Sequence, residues 1–496
     1  MSELDEIRMA FEEGLRRLDE LIERMKAERD RLRREFEERL SALSVKGFDM
    51  EGLEEFLEEP YVLLPKGRDE WYVIVPKWVG FHVGWLEHQT RSYNIFVINR
   101  YMQWITPIPL KIRERLKFPE LPPLKVYDGY LFTGVEHQEE AWRRYRRYLV
   151  RREGRDRIKI KKGYEFQLIS RLIEDGILPF IPRPVDESDL RDAEPPFKLR
   201  TYQKEWWSEF MEKGAIGVYS PYGSGKSVFG AYAIYKMRGR RLVVVPTLTL
   251  KEQWLERLRR IGALKGVDVE TYRAFDKVKD KSYTLVVFDE VHHLPANTYI
   301  RFATLRAKYR IGLSGSPFRE DHRESYIFAL TGFPVGVDWS YFIEKGIVRK
   351  PVCKVYIVGS EGGKLKLLKD LLKIPVKTII FSDSIRLGEL ISKRLGIPFV
   401  YGATRDRMEI LRKAQVAVVS RVGDEGISLP DIERVIEVSF LYGSRMQEIQ
   451  RFGRLMHALR EEPEHIIIFT EEEYQKYHKR LYSIAERGFR IDVIRG

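Results

Sequence analysis

Short apolar runs alternate with longer helical segments from residue 198 to residue 496. The runs are Leu242 to Val245, Leu285 to Phe288, Ile311 to Leu313, Thr378 to Phe381, Val416 to Val419, Val435 to Val438 and Ile466 to Phe469. Continuous apolar runs of this length are typical of strands buried on both faces of a parallel sheet. Their alternation with helical segments predicts parallel sheets covered by helices. We therefore expect an α/β fold with two tandem lobes, at residues 198–340 and 341–496.

The first residues of the chain follow a different period. Apolar residues recur every three or four positions over residues 1–43, with one gap at Arg29. This spacing predicts one long amphipathic helix or coiled coil, which we assign to residues 1–45. The apolar stripe of this helix has two alternative roles: packing against its own chain, or binding a partner or a second copy of the chain.

A small, mostly β domain is predicted over residues 46–135. Aromatic and β-branched runs, separated by turn residues, occur at Tyr61 to Leu64, Trp71 to Val75, Phe81 to Trp85 and Tyr93 to Ile98. These runs carry no motif that indicates a function.

Residues 136–197 form a predicted basic helical segment and a proline-rich linker. Residues 142–162 hold eleven Arg or Lys and two acids, with aromatic residues between them. One interpretation is a solvated helix face. The other is contact with nucleic acid, since aromatic side chains can stack on bases and cations can bind phosphates. The candidate contacts are Arg143, Arg144, Arg146 and Arg147.

Composition narrows the class of protein. The net charge of +13 suits a polyanionic partner, and the 44% hydrophobic fraction is that of a globular chain. A single cysteine, Cys353, excludes a disulfide framework and a cysteine-type zinc site. The charged fraction of 32% fits the tendency of thermophile proteins. Because the chain shows neither a signal peptide nor an apolar run long enough to span a bilayer, we expect a cytoplasmic protein.

The most specific motif is Ser220-Pro221-Tyr222-Gly223-Ser224-Gly225-Lys226-Ser227. It follows an apolar run and precedes a helical one, which is the context of a phosphate-binding loop. Gly223 and Gly225 let successive backbone N–H groups face one anion. Lys226 can reach the β- and γ-phosphates, and the Ser227 hydroxyl can bind Mg²⁺. The alternative is a tight turn before a helix, and Ser220 stands where the general pattern has glycine.

A second acidic motif follows the apolar run Leu285 to Phe288. Asp289 and Glu290 come directly after this predicted strand. A carboxylate in this position, downstream of a phosphate-binding loop, is the second Mg²⁺ anchor of nucleotide hydrolases. Glu290 is placed to polarise the attacking water. The alternative is a solvated strand end.

Residues 198–458 resemble the XPB family of superfamily-2 helicases, because the family's motifs occur in order. The motifs of the first lobe are Lys198-Leu199-Arg200-Thr201-Tyr202-Gln203, Val245-Pro246-Thr247-Leu248, Thr271-Tyr272, Asp289-Glu290-Val291-His292-His293-Leu294-Pro295-Ala296, Ser314-Gly315-Ser316 and Arg319-Glu320-Asp321. Those of the second are Ile380-Phe381-Ser382-Asp383, Tyr401-Gly402-Ala403-Thr404, Arg421-Val422-Gly423-Asp424-Glu425-Gly426-Ile427 and Gln447-Glu448-Ile449-Gln450-Arg451-Phe452-Gly453-Arg454. The resemblance implies two RecA-like lobes that use ATP and Mg²⁺.

The resemblance also implies roles at the ATP site. Gln203 would read adenine beside Arg200, while Ser224 of the loop and Asp424 and Gly426 of the fifth motif would contact the nucleotide. Ser227 and Asp289 would hold Mg²⁺, and Lys226, Asp289 and Glu290 would serve hydrolysis. An arginine finger from the second lobe would complete the site in cis, and hydrolysis would be coupled to movement. The finger residues are Arg454 and Arg451, and the coupling residues are Ser314, Ser316 and Gln447.

Contacts to nucleic acid follow from the same resemblance. Backbone amides and hydroxyls of Thr247, Thr271 and Thr404 would hold phosphates of one strand without reading its sequence. The other implied contacts are Arg319, Glu320, Asp321 and Arg421.

Three features depart from the family's pattern. His457 stands where the family usually has a third arginine. The stretch between Val358 and Lys377 is too short for the family's thumb-like insertion. The first 197 residues carry no family motif, so a role in damage recognition does not follow for them.

The sequence thus predicts a DNA-dependent ATPase that translocates on DNA and unwinds or remodels duplex, in repair or recombination. Two alternatives remain open: a duplex translocase that never separates strands, and an ATP-gated DNA-binding scaffold. For residues 1–43 we expect either a partner, such as the nuclease used by resembling archaeal helicases, or a homodimer.

Overall fold

A computed structural model describes most of the chain from residue 61 onward. The described residues are 27, 31, 61–67, 70–77, 83–90, 92–99, 102, 108, 110–116, 121–294, 296–315, 323–336, 339–420, 431–440, 445–458, 460, 462–487 and 489–495. The chain divides into two compact units, Met1–Val62 and Leu63–Gly496. The helix predicted over residues 1–45 lies outside the described residues. Only two positions in that range are described, 27 and 31, and both are helical.

The first described element is a four-stranded sheet, where the sequence predicted a small β domain. Its strands are β1 (Val62–Pro65), β2 (Glu70–Pro76), β3 (Trp85–Gln89) and β4 (Tyr93–Asn99), in the order β1-β2-β4-β3. Both β2 and β3 pair with β4 in antiparallel register. The third strand begins where the predicted run Phe81 to Trp85 ends. Helix α1 (Leu110–Leu116) follows.

A second four-stranded antiparallel sheet lies before the lobes, where the sequence analysis expected a basic helix and a linker. Its elements are β5 (Lys125–Tyr127), β6 (Tyr130–Phe132), α2 (Gln138–Tyr145), β7 (Leu149–Glu153), β8 (Arg157–Ile160) and α3 (Glu165–Glu174). The strands lie in the order β5-β6-β8-β7. The expected domain boundary at 135/136 thus falls between strands of one sheet. The sequence analysis missed this because each strand is short and its core face alternates with charged residues.

The first lobe is a six-stranded parallel sheet, as the apolar runs predicted. Its strands are β9 (Ala215–Tyr219), β10 (Arg241–Val245), β11 (Val267–Thr271), β12 (Ser282–Asp289), β13 (Arg306–Ser314) and β14 (Phe333–Val335), in the order β11-β10-β12-β13-β9-β14. Its helices are α4 (Thr201–Lys213), α5 (Lys226–Lys236), α6 (Leu248–Arg260), α7 (Ala296–Ala303) and α8 (Glu324–Thr331). Every residue of β10 is buried, as its apolar run requires.

The second lobe is a seven-stranded parallel sheet. Its strands are β15 (Val352–Val358), β16 (Thr378–Ser382), β17 (Phe399–Val400), β18 (Val416–Val419), β19 (Arg434–Ser439), β20 (Glu464–Thr470) and β21 (Ile491–Arg495), in the order β17-β18-β16-β19-β20-β15-β21. Its helices, after a linking helix α9 (Trp339–Glu344), are α10 (Glu361–Leu371), α11 (Ile385–Leu395), α12 (Arg407–Lys413), α13 (Arg445–Gly453), α14 (Glu471–Tyr477) and α15 (Tyr482–Ala485). The prediction of two parallel α/β lobes is confirmed.

Shorter elements lie between the strands and helices. Short 3₁₀ helices lie at Arg146–Tyr148, Glu187–Asp189, Tyr272–Lys277, Val291–His293, Arg454–His457 and His478–Leu481. The chain runs from β15 through α10 directly to β16, so this stretch holds a single helix of the lobe. Over the described part of the chain, no helix combines the length and apolarity needed to cross a membrane.

Candidate active site

The phosphate-binding loop connects β9 to α5, in the strand–turn–helix setting that the sequence predicted. Gly223 and Gly225 have φ values of 95° and 80°, a region that glycine adopts without steric cost. Helix α5 begins at Lys226, so the positive end of the helix lies at the loop. The Lys226 ammonium donates to the carbonyl oxygens of Ser220 and Pro221, at 2.8 and 3.0 Å. The loop therefore curls tightly around its own lysine.

Gln203 braces this loop from the start of α4. Its side-chain amide donates to the carbonyl oxygens of Ser224 and Gly225, at 3.2 and 3.1 Å, and its Oε1 accepts from the backbone N–H of Arg200 at 2.9 Å. A Cβ at Gly225 would lie 2.7 Å from Gln203 Nε2, so the close approach requires glycine. Gln203 thus lies against the loop, and its role as the adenine reader beside Arg200 stays a prediction.

Asp289 lies at the carboxyl end of β12, beside the loop. Its Oδ2 accepts a hydrogen bond from the Trp254 indole nitrogen at 2.6 Å, and its Oδ1 accepts from the backbone N–H of Glu290 at 3.1 Å. Burial raises the pKa of Asp289 and lowers that of Lys226, while the two opposite charges favour ionisation of each other. A carboxylate and the Ser227 hydroxyl are hard oxygen ligands, the type that Mg²⁺ prefers, so these residues fit that ion.

Glu290 has a strained backbone at the start of the next turn. Its φ of 47° lies in the left-handed region, which costs a non-glycine residue about 1–3 kcal/mol. Its Oε2 lies 3.5 Å from His292 Nδ1, and the same nitrogen lies 2.6 Å from Ser314 Oγ. Glu290 is therefore linked, through one buried histidine, to the motif that the resemblance assigned to coupling.

The second lobe meets this histidine through Gln450. The Gln450 amide nitrogen lies 3.5 Å from His292 Nε2 and also contacts His293 Nε2. The resemblance assigned Gln447 to coupling, and this role stays a prediction. Gln450 lies three residues further along α13, and nothing in the sequence indicated its contact with the first lobe.

Tyr222 fills the space between the loop and the second lobe. Its ring lies so close to Gly315 and Gly453 that a Cβ at either glycine would come within 2.5 or 2.4 Å of a ring carbon. The Lys226 ammonium lies 4.9 Å from the ring centroid. Burial is the main cause that raises the pKa of Tyr222, and the negative charge of Glu290 raises it further. The positive charges of Arg487 and Arg454 lower it. The sequence analysis did not assign this residue a role.

Arg451 lies in a buried ion network inside the second lobe, and not at its surface. Its guanidinium donates to Glu437 and Asp383, at 2.6 Å each, and is fully buried. This differs from the expectation that Arg451 acts beside Arg454 as a finger. The neighbouring Arg454 lies at the start of a 3₁₀ helix, 5.8 Å from the Phe381 ring centroid.

Three carboxylates and three basic groups form this network. His465 Nε2 lies 2.8 Å from Glu448 and 3.2 Å from Glu437, and Arg480 also bonds both acids. Burial alone would lower the pKa of His465, but the hydrogen bonds to Glu437 and Glu448 raise it to about 9. Burial likewise acts against the ionisation of Glu448, but Arg480 and His465 lower its pKa to about 2. Since two arginines already occupy the acids, the cluster is an ion network and not a metal site.

The threonines expected to touch DNA have local roles in the described structure. Thr247 caps α6, its hydroxyl accepting from the Leu250 N–H at 3.3 Å. The Thr404 hydroxyl accepts from the Tyr401 N–H at 3.0 Å. Thr271 ends β11. These three threonines remain predicted contacts. Seven other predicted site residues lie outside the described residues: the coupling residue Ser316, the nucleotide contacts Asp424 and Gly426, and the nucleic-acid contacts Arg319, Glu320, Asp321 and Arg421.

The basic segment is divided between a helix and two strands. The buried Asp175 carboxylate accepts from Arg144 Nε at 3.0 Å and from the Tyr145 hydroxyl at 2.8 Å. Arg143 is exposed and lies 3.8 Å from Glu139. Arg146 and Arg147 lie in the following 3₁₀ turn, 6.0 and 5.9 Å from the rings of Trp142 and Tyr148.

Comparison with known families identifies the two lobes. Residues 368–487 match the ERCC3/RAD25/XPB C-terminal helicase family, and residues 196–269 match the res subunit of type III restriction enzymes. The Rad25 protein of Halobacterium salinarum is 31% identical over 369 residues, covering 62% of this chain and 61% of that protein. The two lobes are similar in sequence to the XPB family of superfamily-2 helicases.

Two other XPB relatives are named for different activities. The DNA 3'-5' helicase XPB of Mycobacterium tuberculosis is 28% identical over 319 residues, covering 52% of this chain and 58% of that protein. The DNA 3'-5' translocase XPB2 of Sulfurisphaera tokodaii is 27% identical over 386 residues, covering 60% of this chain and 86% of that protein. The chain thus spans about three fifths of the length of the first two relatives.

The departures from the XPB pattern can be located in the fold. The stretch that would hold a thumb insertion is α10, with its turns to β15 and β16. His457 ends the 3₁₀ helix after α13, and its side chain lies outside the described residues.

Proposed function

We propose that this XPB-family protein is a DNA-dependent ATPase that translocates along DNA and separates or remodels duplex. One observation carries the proposal. Gln450 and Gly453 of the second lobe lie against His292, His293 and Tyr222 of the first, so residues of both lobes surround the phosphate-binding loop. An ATP site shared by two lobes links hydrolysis to their relative movement.

The residues of the first lobe would bind and orient the nucleotide. Lys226, with the loop amides and the end of α5, would hold the phosphates, and Gln203 would hold the loop in the shape that admits them. Ser227 and Asp289 would hold Mg²⁺, which supplies positive charge at the phosphates. Glu290 would accept a proton from the attacking water, which its position beside the loop and the link to His292 support.

The second lobe would supply the remaining positive charge. Arg454 is our candidate for the finger, because it directly follows Gly453, which lies against the Tyr222 ring of the loop. Arg451 instead acts as a positioning residue, because its guanidinium ties α13 to Asp383 and Glu437. The chain from Glu290 through His292 to Ser314 and Gln450 would report the state of the nucleotide to the second lobe.

Turnover with and without DNA tests this function. The full chain should hydrolyse ATP faster when DNA is added, and Glu290→Gln should bind ATP but stop hydrolysis, since an amide cannot take up the proton. Lys226→Ala should lose hydrolysis because the phosphates lose a fixed counter-charge. The matched control is Glu472→Gln, an exposed acid of α14. DNA-independent turnover, or normal turnover of Glu290→Gln, would reject the proposal and favour the scaffold alternative.

Separation of strands is a distinct question from movement. The relatives bear both names, helicase and translocase. Displacement of a labelled strand from a forked duplex should accompany displacement of a triplex-forming strand if this protein unwinds. Triplex displacement alone would identify a duplex translocase.

A partner would bind through residues 1–43. We propose a nuclease or a second copy of the chain, because the apolar stripe spans roughly 60 Å of helix at 1.5 Å per residue. An apolar stripe of this length is a liability unless another surface covers it. We place the protein in DNA repair or recombination, as the XPB resemblance implies.

A further inference from the structure

The sheet β5-β6-β8-β7 has two faces of different character. Val126, Leu131 and Ile158 point to one face, where they are buried and pack in one cluster with Tyr145 and Leu168 of helices α2 and α3. Because side chains alternate along a strand, their neighbours lie on the opposite face. The strand pairing aligns those neighbours in two rows across the sheet: Tyr127, Tyr130, Lys159 and Arg151, then Lys125, Phe132, Arg157 and Glu153.

This second face, which we call the open face, combines aromatic rings with cations. Tyr127 is 41% exposed, and Tyr130 and Phe132 are partly exposed with their ring centroids 6.4 Å apart. The Lys159 ammonium and the Arg157 guanidinium lie 3.8 and 4.9 Å from the Tyr130 centroid. The Tyr130 ring thus has two cations beside it, as the base and the phosphate of one nucleotide would require.

The charge of the open face is one-sided. Its single acid, Glu153, accepts from Arg151 at 2.7 Å. Among the described residues, no carboxylate lies within ion-pair distance of Arg157 or Lys159. A further cation, Arg183, lies 4.1 Å from the Tyr127 centroid at the edge of the sheet. These cations are available to phosphate without breaking an internal pair.

We propose that the open face binds single-stranded DNA, with bases stacked on Tyr130 and Phe132 and phosphates held by Arg157 and Lys159. Base-on-ring stacking tolerates any sequence, because every base has a π face, and four-stranded sheets with exposed aromatic rings bind single strands in this way. A duplex hides its base faces, so the open face favours a single strand. Lys159 moves from above the Tyr130 ring to the phosphate when a base stacks there.

The open face takes Arg151, Arg157 and Lys159 from the strand part of the basic segment 142–162, and lies apart from the four candidate arginines of α2 and the following turn. Helix α2 packs on the other side of the sheet, through Ala141 and Tyr145. Its Arg144 is already held by buried Asp175, and Arg143 has Glu139 as a neighbour. The inference that the open face binds DNA rests on the proposed function in one respect, because strand separation by the lobes would produce the single strand. Binding itself requires no ATP, so the two proposals fail independently.

Binding of a fluorescent oligo-dT to the full chain without nucleotide tests the inference. Tyr130→Ala with Phe132→Ala should weaken binding roughly tenfold or more, since stacking is worth about 1–3 kcal/mol per base. Tyr130→Phe keeps a ring and should retain affinity. Arg157→Glu with Lys159→Glu should reduce the slope of log affinity against log salt by about 0.7 per lost phosphate contact.

Three controls make the outcome decisive. Lys369→Glu reverses an exposed charge on α10 of the second lobe and should leave the affinity and the slope unchanged. Equal unfolding midpoints would show that the variants fold. Unchanged affinity in the Tyr130 and Phe132 variant would overturn the inference. So would a loss confined to Arg143→Glu on α2, a preference for duplex, or tighter binding to an oligo-U RNA.

Discussion

The contact between Tyr222 and Gly453 offers the sharpest test of how the two lobes meet. Gly453 has an ordinary helical backbone, with φ of −61°, so alanine fits the chain conformation there. Its added methyl group would lie 2.4 Å from Tyr222 Cδ2 and 2.7 Å from Cγ. Gly453→Ala therefore changes the packing between the lobes and leaves the backbone of α13 undisturbed.

The size of the effect follows from this distance. Ordinary van der Waals contact begins at 3.4 Å, so the ring or the second lobe must move by about 1 Å. Overpacking of this kind costs about 1–3 kcal/mol. If that energy opposes lobe closure, ATP turnover falls about 5- to 150-fold, because about 1.4 kcal/mol is tenfold in rate. ATP binding to the first lobe should change much less, because the loop residues are intact.

A double-mutant cycle isolates the contact. Tyr222→Ala removes the ring, so Tyr222→Ala with Gly453→Ala should turn over faster than Gly453→Ala alone, with a coupling energy of at least about 1 kcal/mol. The matched control is Gly359→Ala, since no atom lies within 4 Å of a Cβ at Gly359. The assay is steady-state ATP hydrolysis with saturating DNA. Additive losses in the cycle, or full activity of Gly453→Ala, would refute the packing argument.

Three other predictions follow from the structure. Arg454→Ala should lower turnover by roughly 10³-fold while nucleotide affinity stays near normal, as expected of an arginine finger; a parallel loss of affinity would contradict that role. Folding stability should be greatest between about pH 4.5 and 6.5, where Glu448 is ionised and His465 is protonated in both the folded and the unfolded chain. It should fall by roughly 3 kcal/mol as the pH rises from 6.5 to 9, because folded His465 holds its proton up to a pKa of about 9. Chemical denaturation against pH measures this, and a His465→Gln variant should lose the alkaline decline. Deleting residues 1–43 should leave ATP turnover intact and abolish a dimer or partner complex in sedimentation; an insoluble product would show that the helix is core packing.

Local features of the sequence determined much of the fold and part of the candidate active site. Long apolar runs predicted the central strands of both lobes, because a strand buried on two faces leaves little room for polar residues. Gly223, Gly225 and Lys226 identified the loop, since its shape needs glycine at fixed positions. Asp289 and Glu290 followed from their place at the end of a predicted strand.

Other features depend on residues that are far apart in the chain, and only the tertiary structure decided them. Short strands with charged residues on one face gave no periodic signal, so the second antiparallel sheet and its open face were not predicted. Gln450 lies on the same helix as Gln447, and only the packing of the lobes shows that it contacts His292 and His293. Arg451 lay in a motif that suggested catalysis, but three-dimensional packing buries it among carboxylates from distant strands. Tyr222 acquires its role only because folding brings two distant glycines to its ring.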